Sequence, residues 1–197
     1  MLGTRVADLL DTYLRLAADP AQAEWLRAAV ASDAWARDEV FRAEQDLTGL
    51  RAEANIFRYR PAPLLAIRAG ADGLPVEVGR MVLAAACAGV PVEVSLHPEV
   101  TTAAEALLGA EVAALGWGTE TDEAFCARVA AGDVTGRLRV VGEVPGLWEA
   151  AADQRADVTP LAGEVLASGR RELLCVLREQ AVSQTLHRFG HLPTDRH

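Results

Sequence analysis

The chain has 197 residues, carries a formal net charge of −9 and is 51% hydrophobic with few aromatic residues, enough for one sizeable core. The acidic balance excludes a nucleic-acid binder, which needs a basic surface to replace phosphate counterions, and disfavours an anionic membrane surface for the same reason. The sequence contains arginine but no lysine, which removes a Walker-type phosphate loop and Schiff-base chemistry.

At the N-terminus, charges interrupt the apolar stretch, so a signal peptide is not expected. The longest uncharged apolar run, 81–92, is broken by Gly89 and Pro91 and is too short to span a membrane. Val6, Leu9, Leu10, Tyr13 and Ala17 recur at helical spacing and predict a first helix. Asp19 then offers a cap, Pro20 suits the first turn and Gln22 occupies the capping-box position of a second helix. Ser32 or Asp33 is expected to start a third, running through Trp35, Val40 and Phe41. The stretch 53–60 is rich in aromatic and branched residues and ends at Pro61, which predicts an extended segment.

From residue 64 onward, short apolar runs alternate with helical ones. Strands are expected at 64–68, 90–95, 111–115, 138–141 and 158–161, with helices near 75–88, 102–108, 122–131 and 146–152. This alternation predicts an α/β, Rossmann-like fold with a mostly parallel sheet flanked by helices. A short helix at 172–177 should give way to an extended tail from Glu179. The expected organisation is a helical segment over 1–47, a connector over 48–63, the α/β domain over 64–178 and the tail over 179–197.

Such a sheet invites a nucleotide hypothesis, and the test is the glycine fingerprint. Gly70 and Gly73 follow the first strand of the domain without completing it. Gly116 and Gly118 give its first half, but Thr121 stands at the third position. Plain turn glycines are the competing reading. His187 and His191 have a metal-compatible spacing, but Gly190 and Pro193 argue against a continuous helix and solvated imidazoles are the alternative. Cys87, Cys126 and Cys175 are isolated, which signals neither a disulfide framework nor a zinc site, predicts buried thiols and fits a reducing cytoplasm. Ser95 and His97 lack a nucleophile elbow. Glu53, Glu172 and Glu179 would serve as acids only if folding buried or paired them.

Two segments combine Arg and Glu with apolar residues in extended-looking stretches: 50–61 and 169–190. Arginine forks suit an ordered interface, and extended segments add to sheet edges. Internal docking of both segments on their own domain is the equal alternative.

These segments also carry a family resemblance. Arg51 to Pro61, read as RAEANIFRYRP, and Leu177 to Ser183 followed by His187-Arg188-Phe189-Gly190, resemble actinobacterial bifunctional proline dehydrogenase/1-pyrroline-5-carboxylate dehydrogenases, known as proline utilization A. That family oxidises proline to glutamate with a flavin-dependent and a NAD-dependent module. The resemblance implies the part after both modules, an aldehyde-dehydrogenase-like, Rossmann-related domain without catalytic residues that covers the intermediate channel and supports assembly. None of the three cysteines stands in the nucleophile context of an aldehyde dehydrogenase, and the flavin barrel is absent. The chain alone is therefore expected not to be an enzyme and to hold no cofactor. Its expected partner is the aldehyde dehydrogenase module, in the same polypeptide or a separate one, or a further copy of itself. The contact residues chosen on polarity and resemblance are Glu53, Asn55, Phe57, Tyr59, Arg178, Glu179, Gln180, Ser183, His187, Arg188 and Phe189. The alternative is an independent small-molecule- or nucleotide-binding α/β domain.

Overall fold

A computed structural model describes residues 3–17, 19–108, 117–153 and 155–187. The strand expected at 111–115 lies outside the described residues, as do Arg188, Phe189 and His191.

Helix α1 (Thr4–Leu16) leads into α2 (Pro20–Ala36). Asp19 caps α2 by accepting from the Ala21 N–H at 2.9 Å, and Pro20 sits in its first turn. The third helix expected from Ser32 or Asp33 does not start there. Both residues lie inside α2, which continues into a π-helical turn at Arg37–Phe41. Their polar side chains serve long-range contacts instead of a cap: Ser32 Oγ accepts from Gly169 N at 2.9 Å, and Asp33 pairs with Arg80.

Beyond β1 (Glu53–Pro61) come β2 (Leu65–Ala69), α3 (Pro75–Ala88), β3 (Val92–Leu96), α4 (Pro98–Leu108), β4 (Trp117–Thr119) and α5 (Asp122–Ala131). The chain continues through β5 (Arg137–Val141), α6 (Leu147–Ala151), β6 (Pro160–Leu161), α7 (Gly169–Val176) and β7 (Leu177–Thr185). The five-stranded sheet has the order β4-β3-β2-β5-β6, and all its pairs are parallel. Alternate residues separate its two faces. Leu65, Ile67, Val94, Leu96 and Val141 enter the larger core with α1, α2, α3, α4 and α7. Ala66, Leu138 and Val140 meet Phe125, Val129 and Leu147 of α5 and α6 on the other face. Gly118, weighed as half of a phosphate fingerprint against a plain turn glycine, is instead part of β4.

Strands β1 and β7 form a separate antiparallel ribbon, with Glu53 opposite Thr185 and Pro61 opposite Leu177. The extended tail begins at Leu177, two residues before the position expected from the sequence.

Candidate functional site

The Rossmann-type question is decided at the carboxyl ends of β2 and β5. These strands are neighbours, and the crossovers that leave them run in opposite directions across the sheet, which makes this gap the usual ligand crevice of such folds. Here the two loops touch each other across part of the gap. A Cβ on Gly70 would collide with the carbonyl oxygen of Glu143, and Asp72 Oδ1 accepts from Glu143 N at 2.7 Å. Gly70 is thus a residue of close loop packing. The remaining crevice, about 790 Å³, is lined by five carboxylates, Asp72, Glu77, Glu143, Glu149 and Glu164, and by no arginine among the described residues. Burial pushes the Glu77 carboxyl up, with Glu164 and Asp72 adding to the shift. A diphosphate placed here would meet five carboxylates beside the starts of α3 and α6, which also line the crevice.

Nucleophiles fare no better. Burial raises the thiols of Cys87 and Cys175 to about 11 and shifts Cys126 upward as well, so none supplies a thiolate near neutral pH. Ser95 does not meet His97: its hydroxyl donates to Glu120 Oε1 at 2.7 Å and accepts from Arg68, whereas His97 Nδ1 accepts from Glu99 N at 3.3 Å. Of the three glutamates singled out from the sequence, Glu172 is the buried one. Its Oε1 lies 3.3 Å from Arg139 and accepts from Leu166 N at 2.8 Å, an arrangement that fixes a loop.

The other polar density lies on the ribbon, where the two sequence segments chosen for interaction prove to pair with each other. Asn55 faces Ser183, Phe57 faces Ala181 and Tyr59 faces Glu179. Ser183 Oγ donates to Asn55 Oδ1 at 2.7 Å, and Arg58 Nε donates to Gln180 Oε1 at 2.7 Å. Phe57 and Tyr59 pack edge to face at 5.2 Å, and Tyr59 meets Phe41 at 4.8 Å. Burial raises the Tyr59 phenol, with Glu179 adding to the shift. Glu53 is half-buried opposite Thr185, while Arg178, opposite Arg60, and His187, just past the ribbon, are exposed.

The hydrogen-bond alternation of the ribbon fixes which backbone groups are used. Leu186 N donates to Ala52 O, so the even residues of β7 bond to β1. Phe57 exchanges both backbone bonds with Gln45 on the far side of β1, as the same alternation requires. The N–H and C=O groups of Glu179, Ala181, Ser183 and Thr185 therefore point to the outer edge of β7. There they meet no backbone partner among the described residues. This nine-residue strand is exposed along most of its length and has no proline or lysine to block pairing.

Sequence reasoning missed three buried arginines. Arg68, Arg80 and Arg139 lie in or beside the sheet and pair with Asp122, Asp33 and Glu172. The only signal was an arginine inside each of the apolar runs around 64–69 and 137–141.

No family model matches the sequence, and no curated protein matches it. Among solved structures, proline utilization A from Corynebacterium freiburgense aligns with 91% of this chain at 32% identity and a TM-score of 0.56. The chain is similar to one segment of proline utilization A. It spans 15% of that protein's length. A variant of proline utilization A from Bradyrhizobium japonicum aligns with 71% of this chain and 15% of its own, at 24% identity and a TM-score of 0.49. An aldehyde dehydrogenase from Bacillus cereus, solved with NAD+, aligns with 79% of this chain and 38% of its own, at 15% identity and a TM-score of 0.46.

Proposed function

We propose that this chain is a non-catalytic accessory module of a proline-catabolic enzyme, which docks on the aldehyde dehydrogenase part through the ribbon and helps enclose the reactive intermediate. The observation that carries the reading is the outer edge of β7, a row of outward backbone donors and acceptors ready to extend a partner's sheet. Likeness to a segment of proline utilization A supports the choice of partner. The raised thiols and the acidic crevice support an indirect role, in which the module excludes bulk water and retains the semialdehyde while the partner performs the oxidation. Glu179, Gln180, Ser183 and His187 would frame the contact from β7, with Arg178 at its root. Glu53, Asn55, Phe57 and Tyr59 hold the ribbon's shape from β1. Arg188 and Phe189, which lie outside the described residues, complete the proposed set.

Backbone geometry provides the test. Ala181 donates outward, so Ala181→Pro removes one edge donor and leaves the β1–β7 bonds in place, a position where an edge strand tolerates proline. Mixed with the cognate aldehyde dehydrogenase and followed by calorimetry, the unaltered chain should bind at micromolar concentrations. The proline variant should keep its thermal midpoint and lose at least about tenfold in affinity, the equivalent of about 1.4 kcal/mol. Equal binding by both chains would refute edge docking.

A further inference from the structure

Among the described residues, the sheet face that carries α5 and α6 is only half covered. Helix α5 packs over Ala66 and Leu138, whereas Glu93 of β3 and Gly118 of β4 remain exposed on the same side. At the margin of α5 lies a second cavity of about 240 Å³, walled by Ala66, Val134 and the Phe125 ring, with Glu93, Ser95, Glu120 and Arg128 as polar groups. Those polar groups are only partly used. Ser95 Oγ and Arg128 Nη1 both bond to Oε1 of Glu120, at 2.7 and 2.6 Å. Oε2 of Glu120 and the other N–H groups of Arg128 have no partner among the described residues. Behind Ser95 and Phe125 stands the fully buried Arg68 guanidinium, which bonds to the Glu120 carbonyl and to Asp122 and fixes this wall; its Nε has no partner among the described residues.

We infer that this cavity binds a small zwitterion, a free α-amino acid, with its carboxylate on Arg128 and its ammonium on Glu120 Oε2. A free carboxylate oxygen and a free guanidinium edge side by side match adjacent opposite charges, and each contact is a charge-assisted hydrogen bond. The apolar wall suits a short aliphatic body. Size sets the limit: a cavity of about 240 Å³ holds roughly eight times a water's ~30 Å³ share of liquid volume, hence a ligand of roughly eight non-hydrogen atoms. The site lies on the main sheet, away from the ribbon, so the inference does not depend on the docking reading.

The test is a titration of the free, isotope-labelled chain by nuclear magnetic resonance with L-proline, L-tryptophan, pyrrolidine and propionate. L-proline should give saturable shifts at Gly118, Glu120 and Phe125 below about 10 mM, with pyrrolidine, propionate and the oversized tryptophan at least about tenfold weaker. Arg128→Met and Glu120→Gln should each weaken L-proline by about tenfold or more while leaving the spectrum elsewhere intact. Absence of saturable shifts with L-proline would overturn the inference. So would equal binding of propionate or pyrrolidine, or unchanged affinity in both variants. Each readout needs only the free chain, so failure here says nothing about the ribbon, and failure of docking says nothing about this cavity.

Discussion

Arg80 and Asp33 join helices α3 and α2 through two hydrogen bonds of 2.8 and 2.7 Å, with both side chains fully buried. Removing one partner strands a charge away from water, so Arg80→Met should destabilise the chain by about 3–5 kcal/mol in urea unfolding. The double variant Arg80→Met with Asp33→Leu should recover much of that loss, because neither charge then remains. Burial also lifts the Asp33 carboxyl from its ordinary 3.8 to about 6, against the lowering influence of Arg80. The folded chain therefore holds this proton more tightly than the unfolded chain. Stability from Asp33 is fully present below its ordinary value and is lost as pH rises through about 6. Compared with Asp33→Asn, the unaltered chain should lose relative stability across that window; a gain with rising pH would contradict the assignment. None of this was readable from the sequence. An arginine inside an apolar run signals a strand, but its partners lie far along the chain, as the Leu161, Gly163 and Glu164 carbonyls around Arg139 illustrate.

At the scale of elements, the strands expected at 64–68, 90–95 and 138–141 correspond to β2, β3 and β5, displaced by one or two residues, and the helix expected near 75–88 is α3, because each buries a face whose spacing follows its backbone geometry. The third N-terminal helix was misread for a physical reason. Ser and Asp are good caps, but tertiary bonds to Gly169 and Arg80 satisfy Ser32 and Asp33 inside an unbroken helix. Gly169 marks the closest approach of α7 to α2. A Cβ there would strike Ser32 O and the Asp33 backbone. Gly169→Ala should push the two helices apart and cost roughly 1–3 kcal/mol, seen as a lower thermal midpoint with unchanged helical circular dichroism. A neutral effect would mean that the helices adjust freely. The sequence also marked both ribbon segments as extended and polar, yet left open whether they face a partner or their own domain. Their pairing with each other answers half of that: the side of β7 that faces β1 is bonded internally, and its outer side meets no backbone partner among the described residues.

For the whole molecule, the core lies in a parallel sheet whose usual ligand crevice is acidic, while a strand edge that is open among the described residues lies on a separate ribbon. In the proposed function, that edge provides recognition and a partner performs the chemistry. Hydrogen exchange read amide by amide tests it most directly. In the free chain, the outward amides of Glu179, Ala181, Ser183 and Thr185 should exchange fast, while those of Gln180, Val182 and Gln184 are slowed by their bonds to β1. Adding the cognate aldehyde dehydrogenase should protect the outward set alone. Protection that appears around the crevice at 142–149 while the outward amides stay fast would contradict the account.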